Sequence, residues 1–373
     1  MGNPKKFDFT VIGLGAVGSA AFYQLSKSGK SVLGIDRFNP PHEMGSSHGE
    51  TRITRLAVGE GEDYVALAKR SHEIWKELEA KSGKQIMSTC GGILIDSGED
   101  PWSKHGSEGF WERTVRFAQK QEISHEILTP EEAKDFYPAF NIPEKGKIYR
   151  EKEAGFLRPE LAISTQIQLA CSLGAKLQTN CPVLKIEETV GGFCLKTTEG
   201  EFWSERILIS SGGWVKDFLP SKDRQRFKIC RQILHWVKVD PELGDWSQYP
   251  VWMWGFGPKP EDFIYGFPSL DGKTVKMATE SFLDCGHPDA LARTVSLEEQ
   301  KLFWDTKVKG KIKGLLPEFL KSKVCFYTVT EDARFVVENW NGSSKAQLVS
   351  ACSGHGFKHS AALGEKLALQ LLE

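Results

Sequence analysis

Phe7-Asp8-Phe9-Thr10-Val11-Ile12-Gly13-Leu14-Gly15-Ala16-Val17-Gly18 is a short β-rich run that breaks into closely spaced glycines. Ala20, Ala21, Tyr23, Gln24 and Leu25 continue it at helical spacing towards Gly29. Lys30-Ser31-Val32-Leu33-Gly34-Ile35 then reads as a second buried strand, ending in Asp36. Strand, glycine turn, helix, strand and acid are the parts of a dinucleotide-binding βαβ unit of roughly thirty residues. Each part has a physical task. Gly13 permits the tight turn, Gly15 lets the backbone approach a pyrophosphate, and Gly18 lets the helix pack close to the strand. The helix start offers free N–H groups and a positive dipole end to phosphates. Asp36, 23 residues after Gly13, is placed to accept hydrogen bonds from ribose hydroxyls and would repel a 2′-phosphate. NADP is therefore disfavoured. By itself the fingerprint fits NAD and FAD alike.

The rest of the composition narrows the class. At roughly 150 residues per domain, 373 residues suggest two domains. The 48 Lys and Arg nearly cancel the 49 Asp and Glu, so no basic field draws the chain to nucleic acid or to an anionic membrane. No apolar run approaches the ~20 residues that span a bilayer. Collagen, coiled coil and disorder are excluded by a 40% hydrophobic, 26% charged composition typical of globular chains. The basic start, Met1 to Lys6, precedes a stretch with glycines at turn spacing and no small-residue cleavage site. Lys6 stands where a myristoylation signal wants Ser or Thr. The protein is read as cytoplasmic. Its eight cysteines (90, 171, 181, 194, 230, 285, 325 and 352) include no Cys-x-x-Cys pair. Neither a disulfide framework nor a metal site is expected.

After the second strand, Gly45-Ser46-Ser47-His48-Gly49-Glu50-Thr51-Arg52-Ile53-Thr54-Arg55 is polar and too rich in glycine for a helix. It resembles the "GS-x-H-G-[DE]-T-R-I-x-R" segment of the monomeric sarcosine oxidase family of FAD-dependent amine oxidases. Further blocks similar to that family follow in family order: Ile207 to Trp214, Tyr265-Gly266-Phe267-Pro268 ahead of Val275-Lys276, Val324 to Thr328, and Ser353-Gly354-His355-Gly356-Phe357-Lys358. Together they cover residues 8 to about 370. The resemblance implies FAD rather than NAD, and an α/β fold: a Rossmann-like FAD domain of the glutathione-reductase type plus a mixed, largely antiparallel-sheet substrate domain. The FAD domain would take 1–85, 151–220 and 322–373, and the substrate domain 86–150 and 221–321. The alternation of Ile233, His235 and Val237, and then Ile264 and Gly266, suits sheet strands. Ala361 to Leu369 has helical spacing, and the chain ends soon after it, where the family carries a further short tail.

The resemblance also assigns roles. Cys325 stands where the family bonds its flavin covalently; a buried strand cysteine is the plain alternative. Lys276 would stand at the flavin face beside O2, its cation stabilising the charge that develops as oxygen is reduced. Arg52 and Lys358 would hold the substrate carboxylate. Arg55 and Glu60 match positions near the flavin, where an ion pair would close the site. Arg37, Ser46, His48, Gly354, Gly356 and Lys358 would border the cofactor, with Tyr327 at the reacting side. Met253 and Tyr265 would line the pocket above the ring. At sheet alternation Trp252 and Trp254 share the face opposite Met253.

One position departs from the pattern. Members acting on small N-methyl amino acids usually carry His four residues after the lysine, and here that residue is Glu280. An acid there resembles fructosyl-amino-acid oxidases and suits an amine or the hydroxyls of a larger substrate. The implied reaction is oxidation of a secondary amino acid by hydride transfer to flavin N5, imine hydrolysis and reoxidation by O2 to hydrogen peroxide, in a monomer that needs neither nucleic acid nor membrane. Three alternatives stay open: a dehydrogenase or imine-forming enzyme using another electron acceptor, an NAD-dependent dehydrogenase, and a non-catalytic FAD-binding protein.

Overall fold

The glycine turn begins a sheet assembled from three distant parts of the chain. In the computed structural model, which describes residues 5–98, 102–103, 109–243, 245–259, 261–350 and 353–373, the strand Lys5–Ile12 lies between Val32–Ile35 and Gly200–Ile209, parallel to both. Lys176–Gln178 extends this sheet on one side, and Val183–Thr189, Gly192–Thr197, Val336–Asn339 and Ala346–Ser350 complete its eight strands. Val11, Ile12, Leu208 and Ile209 are buried on both faces, as central parallel strands must be. The helices Ala16–Ser26, Asp63–Ser82, Pro159–Ser172 and Ser360–Leu372 pack over one face, around Phe22, Trp75, Ile163 and Leu367.

A second eight-stranded sheet runs in the order Leu315–Val329, Lys228–Val239, Thr274–Ala278, Phe263–Gly266, Val251–Gly255, Gly92–Asp96, Lys147–Glu151, Glu126–Leu128. All its pairings are antiparallel except that of Val251–Gly255 with Gly92–Asp96. Trp252 and Trp254 enter one core cluster and Met253 another, on opposite faces as alternation requires. A small third sheet joins Arg52–Thr54, Gly155–Leu157 and Met87–Ser88. This is the α/β architecture expected from the sequence. The strand Leu315–Val329 pairs with Lys228–Val239 over most of its length, so residue 322 lies inside a strand of the second sheet. Lys228–Val239 is buried well beyond simple alternation, because both of its faces are covered: Val237 and Val239 enter one core cluster, Leu234 and Trp236 another.

Among the described residues, no helix is long and apolar enough to cross a membrane. Seven of the cysteines are free thiols; Cys352 and the residues Met1–Pro4 lie outside the described residues.

Candidate active site

The first glycine turn builds the wider of two adjoining cavities. Gly13 adopts φ +86°, its N–H donating to the Ile35 carbonyl at 2.8 Å and its own carbonyl accepting from Ser210 Oγ at 2.7 Å. Gly18 lies behind this turn, where an added Cβ would stand 1.8 Å from the Gly13 oxygen. At Gly15 the same atom would meet nothing within 4 Å. The helix Ala16–Ser26 starts there with no side-chain cap, leaving its first N–H groups and positive dipole end bare. The Asp36 carboxylate accepts from Leu14 N–H at 2.7 Å and Phe38 N–H at 2.8 Å. It fixes the turn and still lines the cavity, whose volume is about 590 Å³. Arg37, Ser46, Gly354 and Gly356 line it too, and Ser211 Oγ is buried there without a hydrogen-bond partner. Uncapped helix start, open glycine, strand-end acid and unpartnered hydroxyl together fit the phosphates and ribose of a dinucleotide.

The smaller cavity, about 80 Å³, shares Arg52, Tyr327, Gly354 and Phe357 with the larger. Arg52 donates to the carbonyls of Thr51 and Ser46, each at 2.7 Å, and its Nη2 lies 3.7 Å from Cys325 Sγ. Cys325 lines the smaller cavity, its thiol 3.5 Å from the Ser46 carbonyl. Arg55 donates to the Ala57 carbonyl and forms a 2.9 Å ion pair with Glu60. Lys358 meets the other oxygen of Glu60 at 3.3 Å. The side chains of this trio are 7%, 3% and 8% exposed, so their charges are compensated by one another rather than by water. Arg52 and Lys358 therefore border one cavity, but the cation that meets Lys358 at a common carboxylate is Arg55. Both Arg55 and Lys358 belong to the smaller cavity and not to the lining of the larger one.

Tyr265, Tyr327, Met253 and Glu280 line the same space. Burial pushes Tyr265 up to about 12, against the pull of Arg52, and pushes Tyr327 well above its ordinary value. Glu280 is 3% exposed, so it faces the cavity rather than solvent.

Besides Gly18, which packs behind the turn, two of the expected residues line neither cavity. Lys276 is buried beneath the turn 49–51, where it donates to the Gly49 carbonyl and, at 2.9 Å each, to the Thr51 carbonyl and hydroxyl. Burial and the Arg52 charge lower its proton affinity well below that of a free lysine. His48 is buried with neither ring nitrogen partnered, and burial with the charges of Arg52 and Lys276 pushes it down to about 3, so its ring is neutral.

Two carboxylates in the site escaped sequence reasoning. Glu151 accepts from Leu56 N–H at 2.6 Å, Ala57 N–H at 3.2 Å and the Tyr149 hydroxyl at 2.9 Å, and so holds the backbone just after Arg55. Glu160 accepts from Gly49 N–H at 2.6 Å and Glu50 N–H at 3.1 Å. In sequence each sits among charged neighbours (Arg150, Lys152 and Glu153; Arg158) and reads as surface.

The family model for FAD dependent oxidoreductases matches residues 8–370. The chain belongs to that family. This oxidoreductase is 32% identical over 372 residues to the N-methyl-L-tryptophan oxidase of Yersinia pestis, covering 97% of the chain and 94% of the relative. Its fold is similar to that of NikD, described as an unusual amino acid oxidase essential for nikkomycin biosynthesis. The TM-score is 0.84 at 18% identity, over 99% of this chain and 94% of that one. It is also similar to the fructosyl amine:oxygen oxidoreductase of Aspergillus fumigatus, with TM-score 0.73 at 16% identity, over 100% of this chain and 88% of that one. Family membership overturns the NAD reading that the glycine fingerprint alone left open. The larger cavity, whose lining fits a dinucleotide, is where FAD would be held.

Proposed function

We propose that this oxidoreductase oxidises a secondary amino acid of the N-methyl type in the smaller cavity. The observation that carries this reading is the buried Arg55–Glu60–Lys358 trio opening on a space that shares lining residues with the larger cavity. A substrate carboxylate is taken by Lys358 and Arg55, at the spacing that one carboxylate, Glu60, already spans. Arg52, with its donors committed to two carbonyls, forms the wall beside Cys325. Met253 and Tyr265 flank the bound amine, and Tyr327 lies beside the cofactor. FAD, which Cys325 would hold, would supply the two-electron acceptor for the carbon next to nitrogen, with O2 as the final acceptor and hydrogen peroxide as its product. Lys276 holds a cation at the buried turn beside that chemistry, where negative charge develops on oxygen. The protein's work is otherwise positioning and exclusion of water. The thioether link, O2 as acceptor, the monomeric state and cytoplasmic location belong to the same proposal.

Glu280 favours a second reading. A buried carboxylate in the same cavity as a carboxylate-binding pair suits a substrate with a second polar group, as in glycated amino acids. The test is a peroxide and flavin-bleaching screen of N-methyl-L-tryptophan, sarcosine, cyclic secondary amino acids and fructosyl amino acids. Peroxide from an N-methyl or cyclic compound supports the first reading, and peroxide from fructosyl compounds alone supports the second. Bleaching by a substrate with no peroxide would replace both by a dehydrogenase, and bleaching by none of them refutes both.

A further inference from the structure

The turn that carries the Lys276 acceptors is held in place from elsewhere. Gly49 and Glu50 have φ of +90° and +72°, and a non-glycine residue stays in that region only where its surroundings impose it. Glu160 supplies the constraint. It stands at the start of the helix Pro159–Ser172, and one of its oxygens accepts from both Gly49 N–H, at 2.6 Å, and Glu50 N–H, at 3.1 Å. With those amides drawn to Glu160, the Gly49 and Thr51 carbonyls are presented to Lys276 Nζ, which finds all three of its acceptors within this one turn. The antiparallel pairing of Arg52–Thr54 with Gly155–Leu157 carries Glu160 to this place.

We propose that Glu160 is a positioning residue for the Lys276 cation: through the Gly49–Thr51 turn, reoxidation of the enzyme depends on a carboxylate that lines neither cavity. This rests on the reading of Lys276 given above. The carboxylate also opposes the loss of Lys276 proton affinity caused by burial and by Arg52.

The test is a double-mutant cycle of Glu160→Gln and Lys276→Met. Enzyme reduced anaerobically with dithionite is mixed with O2, and recovery of the oxidised flavin absorbance is followed. Glutamine keeps the shape but loses the charge of two charge-assisted hydrogen bonds, so reoxidation should slow about tenfold in the parent. In the Lys276→Met background the same change should do nothing further. Unchanged reoxidation in Glu160→Gln, or an equal slowing in both backgrounds, overturns the inference. Normal reoxidation in Lys276→Met alone overturns the reading beneath it. A second readout needs no turnover: in the apoprotein, hydrogen exchange in a peptide spanning 46–54 should quicken about tenfold in Glu160→Gln, and no change there refutes the clamp. Should Glu160→Gln fail to fold, Gly49→Ala disturbs the same turn directly, since its Cβ would lie 2.6 Å from Leu234 Cδ1. It should slow reoxidation with the same dependence on Lys276, and normal reoxidation in it counts against the proposal.

Discussion

Alanine at Gly18 and alanine at Gly15 should fail in different ways, although the two glycines belong to one motif. At Gly18 the new Cβ would stand 1.8 Å from the Gly13 oxygen and 2.9 Å from its carbon, both backbone atoms. No rotamer relieves that contact, so the helix Ala16–Ser26 must move by more than 1 Å from its present packing. Overpacking of this kind costs about 2 kcal/mol. With an unfolding entropy near 2.1 cal/mol/K per residue, 373 residues give a fall of roughly 3 °C in apoprotein Tm if the chain unfolds as one unit. At Gly15 the Cβ meets nothing within 4 Å, so the loss is confined to alanine being the poorer N-cap. Apoprotein stability should stay within about 1 kcal/mol of the parent. Flavin content after purification should nevertheless drop, because the methyl occupies the side open to the pyrophosphate. The assay is apoprotein, expressed under riboflavin limitation and melted by calorimetry, beside FAD content of protein expressed with riboflavin. Equal destabilisation by the two variants, or full flavin content in Gly15→Ala, would refute this account of the turn.

Four other outcomes are expected. Acid precipitation should leave the yellow colour in the pellet for the parent and release it to the supernatant for Cys325→Ser; release from the parent itself ends the covalent reading. Lys276→Met should slow reoxidation by O2 about a hundredfold, with flavin reduction changed far less; stopped-flow traces showing equal losses in both half-reactions would remove its assigned role. Arg55→Ala and Lys358→Ala should each weaken a simple carboxylate inhibitor about tenfold or more, the worth of one charge-assisted hydrogen bond; titration of the flavin spectrum reads this, and unchanged affinity moves the carboxylate elsewhere. His72 and His235 are pushed by burial to about 4 each. The unfolded chain therefore binds more protons below about pH 6.5, and stability falls as pH drops from there towards 4. At pH 5 each group costs about 2 kcal/mol, so calorimetric Tm should fall across this window and fall less in His235→Gln. An equal fall in that variant would assign the loss to other groups.

What the sequence made legible divides along the physics of local and distant contacts. The dinucleotide turn is local: Gly13, Gly15, Gly18 and Asp36 act through backbone geometry within one βαβ unit, and their spacing carries the information. The tryptophan alternation at 252–254 is local in the same sense. The cation pair is not. Arg52 and Arg55 lie three residues apart in one motif, and nothing in the motif tells which guanidinium reaches Lys358. That depends on Glu60, whose carboxylate pairs with Arg55 nearby and reaches Lys358 across 298 residues of chain. Glu151 and Glu160 were hidden for a related reason. A carboxylate that receives backbone N–H groups looks in sequence like any solvated acid, and only pairing of the 155–157 strand with 52–54 shows what it holds. These two acids bracket the segment 52–55 that bears both arginines, one gripping the amides before it and the other those after it. The cations around the smaller cavity are thus set from two ends by groups that carry no catalytic signature. Substitution at either end should disturb the site while leaving every motif residue intact.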